Sequence, residues 1–146
     1  MKLSDNFYLI EFQRSMTATR LGIDNTIPEE LVPKLRALCH NVLQPLRNQY
    51  GKPIRIASGY RTPSLNSYIG GSTFSQHKLG EAADIDTIED NDLLFDLIKD
   101  LPFDQLIWEF GDERPEWVHV SYRPKPRKEI LRAYKKKGKT VYEYYK

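Results

Sequence analysis

One cysteine is all that the 146-residue chain contains. Cys39 therefore has no partner for an intramolecular disulfide, and its neighbours Leu35, Leu38 and Val42 mark it as a small apolar residue suited to burial rather than a reactive thiol. Long apolar runs are missing as well. No stretch approaches the roughly 18 residues of a membrane-spanning helix, and the opening MKLSDNFYLIEFQRS turns polar and acidic too early for a secretory signal peptide. A strong charge of one sign is also lacking, since a formal net charge of +2 is too small to argue for a nucleic-acid partner. Basic residues do gather at Arg123, Lys125, Arg127, Lys128, Arg132, Lys135, Lys136, Lys137, Lys139 and Lys146, and that run is expected to be a solvated hairpin. There is no internal repeat, and Ser58 lies in ASGY rather than in the GxSxG turn of a serine hydrolase.

What is present suffices for one core. A 40% hydrophobic content over this length predicts a single domain, residues 1–146, and a monomer. Tyr8, Leu9, Phe12 and Met16 suggest a short first helix or turn. Thr26, Pro28 and Glu29 have the spacing of a capping box, and Leu31, Leu35, Leu38, Cys39, Val42, Leu43 and Leu46 then recur at helical intervals on one face. Pro45 is expected to bend or fray the last turn. His40, with no acid one turn away, reads as a surface residue. Residues 54–57 read as a strand, 63–68 as a short helix, 82–86 as a strand and 93–99 as a helix capped by Asp90 or Asn91. Strands at 105–110 and 117–122 and a hairpin at 129–134 and 140–144 complete an α+β fold, a mainly antiparallel sheet backed by helices.

The chemistry concentrates in SQHKLGEAAD. His77 and Asp84 flank Gly80, Ala82 and Ala83, whose small side chains leave room for both functional groups to face one cavity. An imidazole nitrogen and a carboxylate oxygen suit a divalent ion. In WVHVSY, strand alternation separates Val118 and Val120 from Trp117, His119 and Ser121, which makes His119 the candidate third ligand. Two histidines and one aspartate around zinc leave a fourth position for water, the arrangement of a catalytic ion. Asp86, one strand period beyond Asp84, competes for the ligand role. Glu116 and Glu109 are the candidate general bases for such a water, and Arg61 offers a guanidinium fork for a substrate carboxylate or, alternatively, for an internal salt bridge. Ser58, Asn66 and Ser75 are polar groups that could share the cleft.

At SGYRTPSLN, SQHKLGEAADI and EWVHVS the chain resembles the zinc D-alanyl-D-alanine carboxypeptidase family, the M15 peptidases, and within it the small single-domain branch of bacterial and phage proteins. The resemblance runs from near Phe12 through the last hairpin. It implies a zinc site of His77, Asp84 and His119, Glu116 as general base and Arg61 facing the substrate, with Ser75 opening the motif. It also implies the compact α+β fold shared with the hedgehog signalling domain. Members cut peptidoglycan stem peptides at the D-Ala-D-Ala end or at an internal L-Ala-D-Glu type bond. The expected activity is therefore zinc-dependent peptidoglycan hydrolysis at the cell wall after synthesis in the cytoplasm. A noncatalytic wall-binding or phage morphogenetic module on the same fold is the alternative.

Overall fold

The computed structural model describes residues 1–146. Its centre is a six-stranded mixed sheet with the order β3 (Arg55–Ser58), β4 (Ala82–Asp86), β6 (Trp117–Ser121), β5 (Gln105–Glu109), β7 (Glu129–Lys136) and β8 (Lys139–Tyr144). The β5–β7 pairing is parallel and the other four are antiparallel. The helical segment 29–50 and the helix 91–98 cover one face, while α5 (Pro63–Ile69) and the 3-10 turn Gln76–Leu79 approach the other through Asn66 and His77, so the architecture is α+β. No helix is long and apolar enough to cross a membrane.

Alternation along the strands decides which face is which. Ile85, Leu106, Trp108, Val118 and Val120 point into the main core with Leu35, Leu38, Cys39, Val42, Leu43 and Leu46 and with Leu94, Phe95 and Ile98 of α6 (Asn91–Ile98). Cys39 is fully buried, and burial pushes its thiol up to about 12, so it packs as an apolar residue. Asp84, His119 and Glu109 occupy the opposite face.

The long helical segment begins at Glu29 and runs as a short 3-10 turn, α3 (Val32–Leu38), a π-helical stretch Cys39–Leu43 and α4 (Gln44–Tyr50). Pro45 does not fray it. The widened turn places the Gln44 amide on the Cys39 carbonyl, and the helix absorbs the proline by a local insertion instead of stopping. The expected capping box does not form, because Asp24 accepts both the Thr26 amide (3.0 Å) and its hydroxyl (2.6 Å). Neither Asp90 nor Asn91 caps α6 with its side chain. Asp90 accepts the Tyr50 hydroxyl at 2.7 Å, while Asn91 accepts the Thr87 amide at 2.8 Å and donates to Asp86 and to the Pro115 carbonyl.

The amino terminus also differs from the expected single helix or turn. A small hairpin, β1 (Lys2–Ser4) with β2 (Phe7–Tyr8), precedes α1 (Leu9–Gln13) and α2 (Met16–Leu21). Leu3 and Phe7 are buried, and the Ser4 hydroxyl donates to Gln44 at 2.8 Å. Contacts with the long helical segment therefore set the local structure over intrinsic helical pattern. The basic carboxyl-terminal run is only partly a solvated hairpin. Arg127 forks onto fully buried Asp104, Arg123 reaches Glu81, and Lys128 donates to the Leu101 carbonyl. The lysines of the β7–β8 turn remain in solvent, around a tight two-residue loop in which Lys137 and Gly138 both have positive φ.

Candidate metal centre

Two antiparallel strands and one tight turn assemble the centre. Asp84 on β4 stands directly opposite His119 on β6. His77 arrives from the 3-10 turn Gln76–Leu79, whose first amides are capped by Ser75 accepting from the His77 N–H at 3.2 Å. Nε2 of His77 lies 3.3 Å and Nδ1 of His119 3.1 Å from the same carboxylate oxygen, Oδ1 of Asp84. The three donor atoms all lie within 4.8 Å of one another, and all three residues are buried. Asp86 is outside the group. It pairs with Arg55 at 2.8 Å and accepts from Asn91 at 2.8 Å, tying β3 to the start of α6.

The tautomer of His77 follows from its surroundings. A carbonyl can only accept, so Nδ1–H of His77 donates to Gly59 O at 2.7 Å and turns Nε2 toward Asp84, where it carries a proton in the charged imidazole and is the free donor atom in the neutral one. Such an outer hydrogen bond is what ligand imidazoles usually carry. Gly59 itself must be glycine, because a Cβ there would collide with the Phe12 backbone of α1. Nε2 of His119, the ring nitrogen that does not face Asp84, is buried without a hydrogen-bond partner. The donor set of two imidazole nitrogens and one carboxylate oxygen, preoriented and buried, fits a borderline divalent ion such as zinc.

Burial works to raise the Asp84 carboxyl, but the charge of His77 and the hydrogen bonds from both imidazoles outweigh it and hold the group well below the usual carboxylate range. Arg61 adds a further cation, with Nη2 3.3 Å from Asp84 Oδ2. Its guanidinium is fixed from two other sides, Nε donating to Ser58 Oγ at 3.1 Å and Nη1 to Asn66 Oδ1 at 3.3 Å. The hydroxyl of Ser58 is thus engaged by an arginine and not by an imidazole base.

The other expected site residues take different places. Asn66 is buried and spends both ends of its amide, accepting from Arg61 and donating to the Ser72 carbonyl at 2.9 Å, so it orients Arg61 and folds the following loop. A side chain on Gly71 would strike the Asn66 amide and displace it from Arg61. Ser75 serves as the cap of the His77 turn. Glu116 is exposed, at the end of a loop ahead of β6, and is not gathered with the three donors.

Glu109 is buried instead, at the end of β5, on the same sheet face as His119 and two residue pairs along from the Ile107–His119 pairing. Burial and the negative charge of Asp84 push its carboxyl up to about 7 against the opposing pull of His119 and Arg61. The strand reading named Glu109 as a candidate. Its place beside His119 depended on a strand pairing that single-strand alternation does not encode.

Missed altogether was the buried network behind the His77 turn. Gln76 donates to Asp104 at 3.0 Å and to Glu81 at 3.3 Å, and burial, which would raise Asp104, is overcome by the Arg127 hydrogen bonds that hold it at about 2. The only prior signal was the SQH motif itself, in which Gln76 sits beside a ligand candidate.

A family model described as Peptidase M15 matches residues 5–121, and the chain belongs to that family of peptidases. The match ends with β6, so β7 and β8 lie beyond it. No curated protein matches the chain.

Proposed function

We propose that the protein is a zinc-dependent peptidase that hydrolyses peptidoglycan stem peptides, with Glu109, and not Glu116, as its general base. The observation that carries this reading is the convergence of His77 Nε2, Asp84 Oδ1 and His119 Nδ1 beside a buried carboxyl in a Peptidase M15 chain. A zinc ion held by these three atoms would supply Lewis acidity toward a peptide carbonyl and lower the pKa of a water.

Glu109 takes the proton of that water as its oxygen bonds to the carbonyl carbon. It returns the proton to the amide nitrogen as the C–N bond breaks. A carboxyl pushed up to about 7 is suited to both halves of that exchange. Glu116 is exposed at the end of the loop ahead of β6. Arg61 uses three of its five N–H groups on Ser58, Asn66 and Asp84, which leaves donors for a substrate carboxylate while the two neutral partners hold the fork in place. Asn66 and Ser75 act through Arg61 and His77 respectively.

The test is mass spectrometry of purified peptidoglycan peptides incubated with the protein. Zinc-dependent release of a terminal D-alanine or cleavage at an internal L-Ala-D-Glu type bond is expected, abolished by a chelator and restored by zinc. Binding to wall material without any bond cleavage would favour the noncatalytic wall-binding or morphogenetic module.

A further inference from the structure

Beside Glu109 the sheet opens into a cavity of about 520 Å³ lined by Phe110, Glu116, Trp117, Arg132, Ala133 and Lys135 among others. Trp117 and Ala133 are the cross-strand neighbours of Glu109 on its two sides, so the cavity adjoins the proposed base through its strand partners. Trp117 is also two residues from His119 on one strand, roughly 7 Å away along it.

The cavity is built by a strained turn. Phe110 adopts φ 64°, a left-handed conformation rare for an aromatic residue, and Gly111 follows at φ 73°. The turn sets the Phe110 ring edge-on to Trp117 at 5.4 Å, and the Lys135 ammonium lies 5.5 Å from the Phe110 ring. It also returns the chain so that the Glu116 amide donates to the Glu109 carbonyl at 3.0 Å, which brings Glu116 to the cavity rim.

Charge in this cavity is uneven in an informative way. Arg132 is occupied, donating to the Gly111 carbonyl at 3.1 Å, lying 3.7 Å from Asp112 and covering Trp108. Lys135 donates to the Thr140 hydroxyl at 2.9 Å but has no carboxylate partner, and Glu116 has no cationic one. An unpaired ammonium and an unpaired carboxylate therefore share one aromatic-lined cavity without meeting each other.

We infer that this cavity is a substrate subsite for a zwitterionic α-amino-acid group, its amine received by Glu116 and its carboxylate by Lys135, with Phe110 and Trp117 holding the alkyl stem. The inference rests on the peptidase reading for its substrate, a peptide in which one side chain ends in a free amine and a carboxylate. It gives Glu116 a recognition role and gives β7, beyond the family match, a share in specificity.

The test uses the full chain with chelator present and three small probes: L-norleucine, a zwitterion; N-acetyl-L-norleucine, an anion; and L-norleucine amide, a cation. Binding is followed by the Trp117 indole N–H signal in two-dimensional NMR, with the buried Trp108 indole signal as the check on fold. The zwitterion should bind at least about fivefold more tightly than either singly charged probe, and Glu116→Gln and Lys135→Gln should each weaken it by about fivefold. Equal binding of the three probes, no response of Trp117, or unchanged binding in both variants would overturn the subsite. The probes contain no scissile peptide bond and the metal is withheld. Failure of zinc-dependent hydrolysis would thus sink the peptidase reading while leaving this result standing, and the converse holds.

Discussion

Trp108 and Glu109 are consecutive residues of one strand, almost equally buried at 6% and 7% exposure, and they do opposite things. Trp108 turns to the helical face, where it meets the Phe95 ring at 5.2 Å and Tyr145 at 5.9 Å and satisfies its indole N–H on the Gly111 carbonyl. Glu109 turns to the other face, where the same burial pushes its carboxyl up to about 7. Burial on one face of the sheet supplies cohesion. On the other it holds a carboxyl poised near neutrality at a cost in stability, as polar groups withdrawn from water do.

The sharpest way to break the comparison is on the reactive face. Glu109→Gln keeps size and should retain zinc while lowering turnover by roughly 100-fold to 10,000-fold, the usual worth of a positioned base. Glu116→Gln should leave hydrolysis of a simple peptide within a few-fold of the parent. Since the base must be ionised, activity should also fall on the acid side. The midpoint should lie at or below about 7, because a bound cation favours the carboxylate. Steady-state kinetics across pH on both variants checks each point.

On the cohesive face the largest effect is in stability. Phe95→Ala removes a fully buried ring and should cost about 3–5 kcal/mol in denaturant unfolding, with zinc affinity of the folded protein unchanged. A matching loss of zinc affinity would show that the two faces are not independent.

Glu109 should also reveal its burial cost when the metal is absent. Its folded pKa of about 7 lies above the ordinary 4.5, so the contribution it makes is fully present below about 4.5 and is lost as pH rises through about 7. Metal-free Glu109→Gln should therefore be more stable than the parent above pH 7, by up to about 3 kcal/mol, and the gap should close toward pH 4.5. Thermal melts in chelator over that range are the measurement.

Asp104 should behave in the opposite sense. Its folded pKa of about 2 lies below the ordinary 3.8, so its stabilisation is present above about 3.8 and lost as pH falls through about 2. Asp104→Asn should cost about 2 kcal/mol near neutrality. The difference should shrink in acid.

The division of faces was largely legible in the sequence, and its partners were not. WVHVSY placed His119 opposite in orientation to Val118 and Val120, and AADID did the same for Asp84 against Ile85. The strand 82–86 and the helical face from Leu35 to Leu46 follow from local period alone. Glu116 was favoured over Glu109 for its place three residues before His119 and for the family resemblance. The β5–β6 register sets Glu109 on the His119 face of the sheet, a placement that local alternation could not supply and on which the proposed role of Glu109 rests. The amino-terminal hairpin and the Gln76–Asp104–Arg127 network escaped notice for a related reason, since each depends on residues far apart in the chain that only tertiary packing brings together.

Zinc titration of the metal-free protein, by calorimetry with elemental analysis of the product, tests the central claim most directly. One zinc per chain is expected to bind the parent, and Asp84→Asn, which removes the charge between the two imidazoles while keeping its shape, should lose at least about 100-fold in affinity. No bound zinc in the parent, or equal affinity in Asp84→Asn, would contradict a metal centre at His77, Asp84 and His119.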